Sequence, residues 1–168
     1  MERKLHLSGP EVNHFMADTA TTTSVEQLNS LLRGEISAVE TYRMAVDKAE
    51  GDRVTEIASL REIEREHGEH AQKLRAEIRR LGGEADDSSG AWGAWAKTVQ
   101  GVSSLFGDTS ALKALKEGEE HGLKDYEEAA KDVDEASRAL FMTRMIPSQE
   151  RHIATLDAMM RKIGSGIH

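Results

Sequence analysis

The sequence predicts an all-α fold, a four-helix bundle made of two pseudo-symmetric helical hairpins joined by a long crossover that carries a short helix. Three observations predict it. Ala, Leu, Met, Glu, Lys and Arg dominate from residue 25 onward, with only 2 prolines in 168 residues and few β-branched runs, which leaves little material for strands. Apolar residues recur at heptad spacing in four separate stretches. The first and third stretches share one pattern, and the second and fourth share another.

Residues 1–22, ending in the polar tract ADTATTT, show no apolar period and are expected to form a mobile arm ahead of a bundle occupying 23–168. The first helix, about 25–50, should begin after Ser24, whose hydroxyl can cap the free amides while Gln27 reaches back. Its seam is Leu28, Glu35, Tyr42 and Ala49, flanked by Leu31, Leu32, Val39 and Val46. The second helix, about 53–81, carries Leu60, His67, Leu74 and Leu81 beside Ile63 and His70, and Gly82-Gly83 stops it. A tight turn makes the two antiparallel.

The crossover, about 82–110, contains Trp92, Trp95, Val99, Val102 and Phe106 at helical spacing between glycine-rich ends. It lacks the basic polar face that anionic membranes select, so packing along the bundle is expected rather than membrane binding. The third helix, about 111–131, places Leu112, Glu119, Tyr126 and Val133 on one seam. The fourth, about 135–163, should start after Asp134 as a cap and end before Gly164. Its stripes are Met145, His152 and Met159 beside Met142, Gln149, Leu156 and Ile163, and Pro147 predicts a kink or bulge in mid-helix.

Composition removes several functions. The chain has 30 acidic and 22 basic residues, and the basic ones are spread along the helices, so no nucleic-acid partner is expected. With no cysteine, a disulfide, a thiolate metal site and a cysteine nucleophile are excluded. Any metal must be held by His, Asp or Glu. No run of about 18 uncharged apolar residues exists, so no spanning helix is expected. MERKLHLSGPEVNHF lacks the apolar run of a signal peptide, which makes the cytoplasm the expected address.

The chemistry lies in the seams. GEISAVETY (34–42) aligns with GEEHGLKDY (118–126), pairing Glu35 with Glu119 and Tyr42 with Tyr126. HAQKLRAEIRRLG (70–82) aligns with HIATLDAMMRKIG (152–164), pairing His70 with His152. Glu35, His70, Glu119 and His152 thus each replace an apolar residue at a core-facing position. A buried carboxylate without a partner is penalised by several kcal/mol, on the order of its lost hydration. Four such residues brought together by a pseudo-twofold axis are explained by a shared cation. Tyr42 and Tyr126, two turns from their glutamates, can donate hydrogen bonds to the ligands or simply fill the core. The methionines of the fourth helix most simply fill the core. His121 should face solvent.

LNSLLRGEISAVETY resembles the first helix of bacterioferritins and rubrerythrin-like proteins, in which an inward Glu is followed seven residues later by Tyr. RRLGGE, the Trp-containing crossover and LKEGEEHGLKDYEEA resemble a bacterial family of ferritin-like four-helix proteins of largely unassigned function. The resemblance implies a ferritin-like bundle over 25–164. It also implies a pattern in which two helices each give one Glu and the other two each give Glu-x-x-His around two metals. The single glutamates match Glu35 and Glu119, and the histidines match His70 and His152. The bridging glutamates do not match, because His67 and Gln149 stand in their places. Glu66 and Glu150 are adjacent, but each lies about 100° around its helix, so only a local bulge would turn one inward.

A metal-binding protein holding a divalent ion is therefore expected, with iron first and zinc or manganese as alternatives, and with oxidase or peroxide chemistry as its extension. The competing reading is a non-catalytic, structural or stress-related bundle with a buried Glu/His layer. Two carboxylates with neutral imidazoles balance one divalent ion, which sets the expected stoichiometry. Ferritin-like chains often pair, so a homodimer is among the expected partners.

Overall fold

The computed structural model describes residues 10–49, 53–90 and 109–166, with side chains described from residue 21 onward. Helix α1 spans Pro10–Asp47 and α2 spans Val54–Arg80. After the crossover come α3, Ser110–Ala129, and α4, Glu135–Leu140. A π-helical turn over Phe141–Met145 joins α4 to α5, Ile146–Gly164, so that the three pieces run on as one long helix. The pieces form two antiparallel hairpins, α1 with α2 and α3 with α5. No helix among the described residues is long and apolar enough to cross a membrane.

Local chemistry sets most of the ends. At the end of α2 the Gly82 amide donates to the Arg79 carbonyl at 3.0 Å and the Gly83 amide to the Ile78 carbonyl at 2.9 Å. This is the Schellman closure, and Gly82 supplies its left-handed residue at φ 77°. Asp134 caps α4, accepting from the Ala136 and Ser137 amides. Arg80, at the end of α2, also binds Asp134, tying the cap of one hairpin to the end of the other. Arg138 donates to the carbonyls of Ala130 and Val133, which satisfies the frayed end of α3.

The first helix departs from expectation. It begins at Pro10 and not after Ser24, so residues 10–22, read from sequence as an aperiodic arm, are helical. Ser24 is a buried mid-helix residue and caps nothing. Pro10 at the first helical position needs no amide donor, and a helix already formed on its packed half extends at one hydrogen bond per residue even through a Thr-rich tract. Trp92, Trp95, Val99, Val102 and Phe106 lie outside the described residues. The crossover's first part, 81–90, lies along α1, where Asn29 donates to the Glu84 carbonyl and Arg33 pairs with Asp86.

Two apolar clusters fill the bundle. One contains Leu28, Leu32, Leu74, Ile78, Tyr126, Val133, Phe141 and Met145. The other contains Tyr42, Leu60, Ile63, Leu112, Leu115, Leu156 and Met159. Each fully buried Leu, Ile, Phe or Met contributes roughly 1.5–3 kcal/mol. The polar residues of the seams occupy the layer between them.

The π turn corrects the reading of the last helix. A bulge was expected near Pro147, and it falls immediately before it. A π turn carries one residue more than an α turn and so resets the phase of the helix. Met142, expected on the inner stripe with Gln149 and Leu156, is therefore 56 % exposed, while Phe141 and Met145 are buried.

Candidate metal centre

Glu35, His70, Glu119 and His152 are all buried, at 3, 5, 3 and 3 % exposure. One residue from each long helix meets in the layer, as the heptad seams require. His67, which sequence reasoning ranked behind these four, is the hub. Its Nδ1 lies 2.6 Å from Glu35 Oε2 and its Nε2 lies 2.9 Å from Glu119 Oε1. It thus spans the two carboxylates from the position that a bridging glutamate takes in the four-carboxylate pattern, where His67 was read to stand instead. The signal was present in the sequence, since His67 lies one turn before His70 on the same face of α2.

The tyrosines cross over. Tyr42 on α1 donates to Glu119 Oε1 on α3 at 2.5 Å, and Tyr126 on α3 donates to Glu35 Oε1 on α1. Tyr42 also stacks on the His67 ring, with centroids 5.5 Å apart. Both hydroxyls therefore touch carboxylates of the centre in addition to filling the core. Burial and the adjacent carboxylate push both phenols well above their ordinary range.

The terminal histidines are unlike each other. His152 Nδ1 lies 3.1 Å from Glu119 Oε2, and its Nε2 lies 2.9 Å from Glu66 Oε2. His70 Nδ1 lies 3.5 Å from Glu35 Oε1 and is a buried nitrogen with no hydrogen-bond partner.

The remaining candidates divide. Glu66 stays off the bridging position, as its place on the helix dictates, but its side chain reaches the outer nitrogen of His152 and also accepts from Ser148 and Arg151. Glu150 is exposed, so the π turn leaves Gln149 inward and does not recruit its neighbour. Gln149 is buried with its Oε1 unpaired. It packs on Gly122, where a Cβ would collide with its amide nitrogen. His121 is exposed, as expected, and faces Asp125 at 3.5 Å.

Electrostatics follow from this packing. Burial opposes ionisation of Glu35 and Glu119, yet the charge and hydrogen bonds of His67 outweigh it. Glu119 is held down at about 2, and Glu35 also lies below the carboxylate range. Burial likewise opposes charge on His67, but Glu119 and Glu35 raise it to about 10. Without a metal, an imidazolium between two carboxylates closes the layer.

Two overlapping donor groups result, Glu35–His67–His70 and His67–Glu119–His152, each with one carboxylate and two imidazoles. Donors held about 2.0–2.2 Å from a common ion at right angles lie roughly 3 Å apart, which is the spacing between Glu119 and its two histidines. His70 Nδ1 is a further buried ring nitrogen without a hydrogen-bond partner at the edge of the layer. Nitrogen and oxygen donors of this kind fit a divalent metal. A cavity of about 70 Å³ between α1 and α3 touches Glu35, Glu119 and His67, large enough to admit water beside them.

The chain is similar in structure to two solved proteins. One is a dodecameric thioferritin, the bacterioferritin-related protein from Bacteroides fragilis, at 19 % identity over 87 % of this chain and 89 % of that chain, with a TM-score of 0.71. The other comes from the ferritin-like, diiron-carboxylate proteins of Bacillus anthracis str. Ames, at 21 % identity over 89 % of this chain and 98 % of that chain, with a TM-score of 0.59. The fold is therefore a ferritin-like bundle. No curated protein matches the sequence. Residues 23–132, more than half of the chain, match the family described as a domain of unknown function (DUF2383), and the chain belongs to that family.

Proposed function

We propose that this protein binds one divalent metal ion tightly in its polar layer, iron before zinc or manganese, with Glu35, His67, His70, Glu119 and His152 as the candidate ligands. The observation that carries the reading is the pair of carboxylate–imidazole groups sharing His67. The ferritin-like fold supports it, and one solved neighbour is itself described as a diiron-carboxylate protein. The donor set differs from the four-carboxylate pattern in having His67 and Gln149 where bridging glutamates would stand. Two carboxylates neutralise one divalent ion and leave a second with excess positive charge in a low-dielectric core.

Iron in such a centre supports oxidation or peroxide chemistry, and the cavity gives a small molecule room beside the ligands. Elemental analysis with stoichiometry, followed by anaerobic iron loading and exposure to oxygen or hydrogen peroxide, tests both parts. One ion per chain and faster iron oxidation than in buffer are expected. Two equally tight ions would overturn the stoichiometry, and a rate equal to buffer would remove the catalytic part. Light scattering tests the homodimer that ferritin-like pairing suggests.

A second reading has its own observation. The Tyr–Glu–His–Glu–Tyr chain is hydrogen-bonded end to end without any metal. On that reading the layer is structural, and the metal-free protein unfolds at the same temperature with or without added ion.

A further inference from the structure

We infer that the ion occupies the Glu119–His67–His152 half of the layer, as a triad of two histidines and one carboxylate, and that Glu66 and Glu35 are positioning residues that orient the two imidazoles. This rests on the proposed metal binding and goes further by choosing between two donor groups of equal composition.

The choice follows from the lone pairs. A neutral imidazole has one lone pair and one N–H, so His67 can serve only one half at a time. With the ion on Nε2, the Nδ1–H donates to Glu35 at 2.6 Å. With the ion on Nδ1, the Nε2–H donates to Glu119 at 2.9 Å. His67 alone does not decide, and the terminal histidines do. Glu66 at 2.9 Å from His152 Nε2 holds the proton there, which turns the Nδ1 lone pair toward Glu119 Oε2 at 3.1 Å. A lone pair facing a carboxylate oxygen repels it until a cation sits between them. Both imidazoles of this half thus carry a carboxylate on their far nitrogen, the arrangement that fixes tautomer and ring orientation at metal sites. The other half lacks this, since His70's one carboxylate contact among the described residues is Glu35, through Nδ1 at 3.5 Å.

Two histidines and one carboxylate with open positions is a donor set suited to iron(II), and it differs from a bridged dinuclear carboxylate centre. Glu66 also sits at the rim, with its side chain 21 % exposed and paired to Arg151. It therefore connects the triad to the surface between α2 and α5.

The test titrates cobalt(II) into the full-length protein, following affinity by calorimetry and ligand field by visible absorption. His152→Ala should abolish tight binding, whereas His70→Ala should weaken it far less and keep the ligand-field spectrum of the unaltered protein. Glu66→Ala should weaken binding about 10–100-fold, the usual loss for an outer carboxylate. Glu66→Gln, which keeps a carbonyl acceptor for the Nε2–H, should recover part of that loss. In the zinc-loaded protein, nitrogen-15 spectra should show His152 protonated on Nε2 and bound through Nδ1, a readout that a purely structural Glu66 would not control. A greater loss in His70→Ala than in His152→Ala, or Glu66 variants that bind like the unaltered protein, would overturn the assignment while leaving metal binding intact. Failure of the unaltered protein to bind cobalt(II) or zinc would overturn both.

Discussion

At the scale of single residues, His67 sets the behaviour of the centre. Glu35 and Tyr42 on α1, His70 on α2, Glu119 on α3 and His152 on α5 surround it. Its raised value means that the stability it gives the metal-free protein is fully present below its ordinary 6.5 and lost as pH rises through about 10. The lowered value of Glu119 gives stability present above the ordinary 4.5 and lost as pH falls toward 2. Urea midpoints of the metal-free protein should therefore form a plateau between about 4.5 and 6.5 and decline on both sides. Metal binding runs against the same proton, because a ligand nitrogen must be free. Affinity should rise by about tenfold per pH unit between neutrality and the His67 value, with one proton released per ion. A pH-independent affinity would show that His67 is not a ligand. Glu35, His70, Glu119 and His152 were legible in the sequence because they interrupt apolar heptads at matched positions. The role of His67 was not legible, because using both ring nitrogens depends on how far apart α1 and α3 stand. Gln149 offers the complementary test: Gln149→Glu should add the missing charge and strengthen binding of a second ion in titration calorimetry, and an unchanged second site would place residue 149 outside ligand reach.

At the scale of elements, the π turn reconciles two registers. The Asp134 cap must meet Arg80 at one end, while Gln149 and His152 must face inward at the other. Those demands are out of phase for a continuous α-helix, and one extra residue absorbs the difference. Proline at 147 signalled the bulge and its neighbourhood, but the phase it resets could not be read from sequence, since that depends on contacts made by the far end of the helix. Deleting the exposed Met142 should convert the π turn to an α turn and keep both flanks in place. Helicity by circular dichroism, the melting temperature and metal affinity should all be retained. A large loss of affinity would show that the widened turn itself aims His152. Arg138 offers a simpler case at the α3–α4 corner. Arg138→Ala leaves the carbonyls of Ala130 and Val133 without their donor, and about 1 kcal/mol of stability should be lost in urea unfolding with metal affinity unchanged.

At the scale of the whole molecule, two apolar clusters clamp a layer of charge. The fold class was readable because helix formers, heptads and caps agree with one another, whereas the start of α1 at Pro10 was not, since helix extension overrides a weak local pattern. Buried ionic groups are often no more stabilising than apolar residues of similar volume, because desolvation offsets their attraction. Replacing the layer by Glu35→Met, His67→Leu, Glu119→Met, His152→Leu, Tyr42→Phe and Tyr126→Phe removes its hydrogen-bonding partners together, and Glu66 keeps Ser148 and Arg151. Such a protein should fold as the same helical bundle, be as stable as the metal-free parent or more so by about 1–4 kcal/mol, and bind no metal. Its melting temperature should not respond to added ion. The parent, at a free ion concentration a hundred times its dissociation constant, should gain about 2.7 kcal/mol, or roughly 5–10 °C. A strongly destabilised variant would mean that the layer specifies the packing of the four helices, and an ion-insensitive parent would favour the structural reading over the metal centre.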